Sequence, residues 1–308
     1  MGNSVQPALS AGGIAGIGRS YTAALWDGVD PAAIQRLNLG YFYEEHFQEN
    51  TPVAANNTAA ASVSGKYNVA TGATAGSTIT KFAGQGGGIK LESTTDNEAA
   101  MAQFGHATVH PFFLANGVED DTLPYMHLAR IRYECRFMPN PAAIADEQAI
   151  FIGFSGDLAL TDLDDDTGDV VTSKNFFGFH TLNAAPSTLR FIFQEATGTA
   201  PVVVQASVGT LLLNKWHSVA FDFNPLADPA ERCSIWFDGA KSSTFVTAAQ
   251  ISNATAGSLF PKSNDAAQID VAPSWMRKSG DGTTTALIIG GWRLYEEYLV
   301  AQGNEAIG

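Results

Sequence analysis

Charge is scarce in this 308-residue chain, and what there is leans one way. Only 16% of residues are Asp, Glu, Lys or Arg, with 17 basic against 31 acidic, for a formal net charge of −14. No basic run occurs, so nothing neutralises phosphates in number, and the balance argues against a nucleic-acid partner. The acidity favours solubility and discourages self-association. No apolar stretch reaches the roughly 18 residues a membrane-spanning helix needs, so no membrane partner is expected. The N-terminus lacks the basic-then-apolar layout of a secretion signal. Gln6 stands where a myristoylation signal has Ser or Thr. The expectation is a protein made in a host cytoplasm and used without export. Cysteine is almost absent: Cys135 and Cys233 both fall in strand-like runs, which suits two buried free thiols or one structural disulfide.

What is plentiful is apolar and turn-forming. An apolar share of 45%, with Gly 30 and Phe 19, fits an all-β chain with many turns. Residues 1–39 stand apart as an N-terminal extended arm. Ala8 to Gly18 is Gly/Ala-rich, but its glycines have the wrong spacing for a phosphate-cradling loop. Asp30-Pro31 then offers a helix start, followed by Ala32, Ala33, Ile34 and Leu37. Such a short apolar helix, on an arm carrying Trp26, either latches onto a neighbour or packs on its own domain.

From Gly40 to Gly308 the pattern is that of strands. Tyr41 to Phe47, Gly88 to Thr94, Ala149 to Phe154, Phe176 to Phe179, Leu189 to Gln194, Val202 to Val208 and Ala286 to Tyr298 all read as strands. Ala129 to Phe137 alternates most regularly, with Ile131, Tyr133, Cys135 and Phe137 inward and Arg130, Arg132, Glu134 and Arg136 on a wet face. Leu211 to Lys241 reads as two strands joined by the polar turn Asn224 to Pro229, the second ending in the hairpin pair Asp238-Gly239. At least ten strands, no internal repeat and almost no helix make a two-sheet antiparallel sandwich the expected fold.

Trp216-His217-Ser218-Val219, followed by a strand ending in Asp238-Gly239, resembles the concanavalin-A-like (lectin/glucanase) sandwich superfamily, laminin-G-like and pentraxin-like modules included. Further motifs are similar to one branch of it, the virion proteins of tailed bacteriophages. These are Gly87-Gly88-Ile89-Lys90-Leu91-Glu92-Ser93-Thr94-Thr95 running into Asp96-Asn97-Glu98-Ala99-Ala100, Tyr133-Glu134-Cys135-Arg136-Phe137, Gly153-Phe154-Ser155-Gly156 and Leu259-Phe260-Pro261. The resemblance covers about Gly40 to Leu299. It implies a jelly-roll sandwich and a structural role in the particle, often attached to the head. The family's last strand carries an Asp-led pattern where this chain has Gly290-Gly291-Trp292-Arg293-Leu294-Tyr295, so a different sheet edge is expected there.

Chemistry-bearing clusters are few. Glycanases on this fold place two carboxylates on one strand with alternate spacing. No such pair occurs, and Glu44-Glu45 and Glu296-Glu297 are adjacent residues that point to opposite faces. Asp162, Asp164, Asp166 and Asp169 form the densest acidic run; alternating hard oxygens could hold Ca²⁺, the alternative being a solvated acidic loop. His106 and His110 share a face only in a helix, and His46, His127, His180 and His217 are scattered, so no metal centre emerges. Trp216 and Trp236 suit a core better than a sugar platform.

The expectation is therefore a non-enzymatic bacteriophage structural protein: a capsid decoration or cement protein on the virion surface. Its partners would be the major capsid protein and copies of itself, with Tyr21, Leu25, Trp26, Ile34 and Leu37 as capsid contacts and no cofactor beyond Ca²⁺. The runner-up is a carbohydrate-binding virion adhesion protein with glycans as partners; a glycoside hydrolase ranks behind both.

Overall fold

The computed structural model describes residues 22–27, 29, 40–47, 52, 62–64, 66–72, 76–84, 87–105, 112–113, 129–140, 148–156, 159–164, 167–171, 174–194, 202–224, 226–250, 252–253, 257–258 and 270–298. With strands numbered in chain order, sheet one runs β15 (Ala240–Lys241), β14 (Cys233–Phe237), β13 (His217–Phe223), β8 (Ala129–Pro139), β19 (Thr285–Tyr298), β5 (Ile89–Ser93), β4 (Thr78–Lys81); β1 (Gly40–Glu45) also pairs with β19. Sheet two runs β12 (Val202–Thr210), β11 (Ala185–Gln194), β10 (Phe176–Leu182), β9 (Gln148–Ser155), β18 (Asp270–Ser279), β6 (Ala99–Phe104), β3 (Tyr67–Thr71), β2 (Ser62–Ser64), with β7 (Phe112–Phe113) also on β18. A small hairpin joins β16 (Ser252–Asn253) to β17 (Gly257–Ser258). Pairing between named strands is antiparallel throughout. The chain is a two-sheet antiparallel jelly-roll sandwich. The described part of residues 22–29 holds one 3-10 turn, Ala23–Leu25; the helix expected from Asp30 lies outside the described residues.

Period-two patterning builds the interior. On sheet one Ile131, Tyr133, Cys135 and Phe137 of β8 face Val219, Phe221 and Phe223 of β13 across the register Val219↔Cys135 and Phe221↔Tyr133. On sheet two Ile150, Ile152 and Phe154 of β9 meet Phe177 and Phe179 of β10. Aromatic rings carry much of the contact: Phe177 lies edge-on to Phe221 at 5.0 Å, and Trp275 of sheet two meets Trp292 of sheet one at 5.3 Å. Such pairs add directional attraction to the area they bury. Both indole N–H groups are provided for inside, Trp275 donating to Tyr133 Oη and Trp292 to Tyr67 Oη. Cys135 and Cys233 are both free and buried, and burial pushes the Cys135 thiol up to about 12.

The turns follow their residues. Asp238 and Gly239 both take positive φ, 48° and 81°, between Phe237 and its partner Ala240, the backbone that a two-residue hairpin demands. Asn224 closes its turn by accepting the Leu226 N–H.

Two expectations are corrected. The second face of β8 is wet only toward its start: Arg130 and Arg132 stay partly exposed, while Glu134 and Arg136 are buried beneath other parts of the chain. The last strand is no edge either, since β19 lies between β8 on one side and β5 and β1 on the other. Its Gly290-Gly291 forms a bulge, between Ile289↔Phe137 and Gly291↔Arg136. The extra residue lets Ile289 and Trp292, three apart, both face inward. Gly290 must lack a side chain, because a Cβ there would lie 2.7 Å from the Trp216 ring.

Candidate functional site

Three places concentrate polar chemistry. The first is the outer face of sheet two, where Ala149, Phe151, Met101, Met276, Phe176 and Ile192 form an apolar floor. Residues 159–164 and 167–171 lie over it, burying Leu163 and Val170 and packing Leu160 and Val171 against the same cluster. The acidic run sits in this covering segment, and its described carboxylates are engaged within the protein. Asp162 is fully buried, 2.7 Å from Lys174 Nζ, and accepts the Ala159 N–H. Asp164 accepts the backbone N–H and hydroxyl of Thr167. Asp169 pairs with Arg190. Lys278 donates to the Leu163 carbonyl from below.

His180 locks the same segment. Its Nε2 lies 2.8 Å from the Gly168 carbonyl, which can only accept, while Nδ1 accepts from Arg190 Nε. That fixes one neutral tautomer. Burial, then the Arg190 charge, depress its pKa to about 3. Among the described residues no group of three or more His, Cys, Asp or Glu is placed to hold a metal. Of the residues expected to hold Ca²⁺, Asp162, Asp164 and Asp169 brace a loop through Lys174, Thr167 and Arg190, and Asp166 lies outside the described residues.

The second place is the outer face of sheet one. Leu25, Trp26 and Val29 are buried there against Ala220, Trp236 and Tyr295, with Phe42 alongside. Beneath them sits Glu134, which accepts hydrogen bonds from Thr22 Oγ1 and, at 2.7 Å, from Trp26 Nε1. Arg293 Nε lies 3.0 Å from the same carboxylate, and its guanidinium stacks 4.8 Å from the Trp26 ring centre. Leu25 and Trp26 are thus committed to their own sandwich. Both were expected as capsid contacts, and here they take the other course open to the arm, packing on their own domain. Tyr21, Ile34 and Leu37 lie outside the described residues.

The third place is the motif pair itself. His217 Nδ1 is 2.8 Å from Asp238 Oδ2, Asp238 Oδ1 accepts the Ser218 N–H, and His217 Nε2 lies between the backbone N and O of Leu212. Arg136 stacks on the half-buried Trp216 at 4.0 Å. These are fold clamps, tying a turn to the end of β13. Sequence reasoning placed Glu296 and Glu297 on opposite faces but missed the burial of Glu296 on β19, opposite Tyr41 of β1, which raises its carboxyl to about 7. Tyr41 beside it is 39% exposed. Glu296 faces the sandwich interior at its rim while Glu297 faces the Arg130 and Arg132 side, the opposite orientation expected of adjacent residues.

No protein-family model and no curated protein sequence matches this chain. Similar solved structures are sandwiches. A protein of unknown function from Shewanella oneidensis MR-1 aligns over 88% of this chain and 95% of its own, at 12% identity and TM-score 0.48. Peanut lectin aligns over 83% and 97%, at 11% identity and TM-score 0.47. A carbohydrate esterase from the Shiga toxin-encoding bacteriophage phi24B aligns over 76% and 91%, at 16% identity and TM-score 0.41. Likenesses this remote carry no argument about chemistry, which has to come from the residues.

Proposed function

We propose that this chain is a non-catalytic structural protein of a bacteriophage particle, a decoration or cement protein held on the head shell by the major capsid protein and by neighbouring copies of itself. The observation that carries this reading is the closure of the outer face of sheet two. Leu160, Leu163, Val170 and Val171 fill the space above Phe151 and Met276, so this stretch of the sheet is a second core instead of a groove for a polymer. Contact is left to rims and edges, where modest patches become strong through many copies on one lattice. The residues of the Trp216-to-Gly239 motif support the same reading, since His217, Asp238 and Trp216 are engaged in clamping the sandwich.

The test is the copy number in purified particles, by quantitative mass spectrometry against the major capsid protein. A simple fraction of the capsid protein supports decoration; absence from the particle overturns it. A second arm adds purified chain lacking residues 1–21 to undecorated heads, a truncation that spares the Thr22 and Trp26 contacts. A glycan-binding role is favoured by one feature, the exposed Tyr41 ring beside the protonatable Glu296. An aromatic face next to a hydrogen-bonding group suits a sugar ring. A glycan array with wild-type chain and Tyr41→Ala decides it.

A further inference from the structure

Where β18 turns back into β19, the interior between the sheets becomes polar. Four strands that send apolar residues inward end there on a polar one in the same period-two phase: Trp275 gives way to Arg277, Ile150 to Gln148, Leu287 to Thr285 and Leu91 to Ser93. All four polar residues are fully buried. The registers bring them together. Arg277 pairs with Ile150 and Ser279 with Gln148, so Arg277 and Gln148 are diagonal neighbours on one face. Thr285 lies directly opposite Ser93 in the facing sheet. Arg277 bridges the sheets by donating from Nη1 to Ser93 Oγ at 2.6 Å.

The rest of the cluster is unsatisfied. Arg277 Nε and Nη2, both amide atoms of Gln148 and the Thr285 hydroxyl have no hydrogen-bond partner among the described residues. Burying a guanidinium without a counter-charge is strongly unfavourable. Burial lowers the Arg277 pKa to about 9, and only the more distant fields of Glu92 and Asp281 oppose that shift, so the group stays charged at neutral pH. Arg130 shows what such an edge takes. There Nε and Nη2, the same two atoms, hold the two oxygens of Asp222 at 2.7 and 2.5 Å. Two parallel N–H donors match a planar carboxylate.

We infer that Arg277, Gln148 and Thr285 form a binding site between the sheets for a small monocarboxylate, held side-on by Arg277 Nε and Nη2, with the Gln148 amide and Thr285 hydroxyl as further donors. A single negative charge fits, because Glu92 and Asp281 already offset part of the Arg277 field. The site is independent of the capsid reading.

These side chains are fully buried, so the full chain is refolded from urea with the ligand present, in a carboxylate-free buffer at pH 7.5. Thermal midpoints are then measured across acetate and formate titrations, with sodium chloride at matched ionic strength and inorganic phosphate as comparison arms. The expected result is a saturable rise of several degrees with acetate or formate that neither comparison arm reproduces. Arg277→Met should abolish the rise. Should that variant fail to fold, Thr285→Val keeps the volume and should weaken acetate binding about tenfold, the loss of one hydrogen bond to a charged group. Crystals grown with bromoacetate should show an anomalous bromine peak beside Arg277. Acetate doing no more than chloride, an equal response to phosphate, or one of the chain's own carboxylates in the Arg277 fork would each overturn the proposal.

Discussion

The two sheets close their outer faces by different means. Sheet two is covered by an apolar layer, Leu160, Leu163, Val170 and Val171 on Phe151, Phe176 and Met276, braced by the ion pairs of Asp162 and Asp169. Sheet one is covered by a small latch whose centre is ionic, Glu134 and Arg293 sealed under Trp26. Apolar burial is non-directional and tolerates imperfect fit. A buried ion pair depends on every partner being present, and losing one leaves a bare charge. The cover on sheet two should therefore fail gradually and the latch on sheet one at a single point.

The largest expected effect comes from removing the floor of the apolar cover. Phe151→Ala should cost about 3–5 kcal/mol in denaturant unfolding, because a large ring leaves a cavity shared by β9, β10 and the covering loop. A loss no greater than that of an exposed site would show that Leu163 and Val170 are not packed on it. Glu134→Ala should cost about 3 kcal/mol and free the latch, read as a red shift of Trp26 fluorescence and faster proteolysis near residues 22–29. An unshifted spectrum would mean that apolar contact alone holds Trp26.

The next effect is a pH dependence of opposite sign in two places. The Glu296 carboxyl rises from 4.5 to about 7 in the folded state. Its contribution is thus complete below pH 4.5 and is lost as pH rises through 7, by about 2–3 kcal/mol. Glu296→Gln should remove that slope. His180 falls from 6.5 to about 3, so its contribution is present above pH 6.5 and is lost as pH falls toward 3. His180→Gln should flatten the acid limb alone, and a single monotonic stability profile in wild type would contradict both assignments. The smallest effect belongs to Asp169→Asn. Its pair with Arg190 is partly exposed and should be worth under about 1 kcal/mol. A loss matching that of Glu134→Ala would erase the contrast between the two faces.

Much of the fold was legible. The inward set of β8, β9 and β10 as strands, and the Asp238-Gly239 hairpin were readable from residue pattern and turn chemistry. β18 was not, because Pro273, Arg277 and Lys278 interrupt its apolar pattern. Pro273 is tolerated mid-sheet because β7 pairs with Asp270 and Val271 while the pairing with β6 starts at Ser274, so among the described residues it faces no ladder partner on that side. The acidic run was legible as a cluster but not as a brace, since Lys174, His180 and Arg190 meet it only through the turn that brings β10 and β11 beneath it.

By itself the amino-acid sequence determined strand faces, turns and class, because these depend on neighbours one to four residues apart. Only the tertiary structure decided that Glu134 and Arg136 on the second face of β8 are buried, that Trp26 seals an ion pair and that Arg277 reaches across to Ser93 between the sheets. Each joins residues from 108 to 184 positions apart, and burial at such range is a property of the assembled layers that no local pattern encodes.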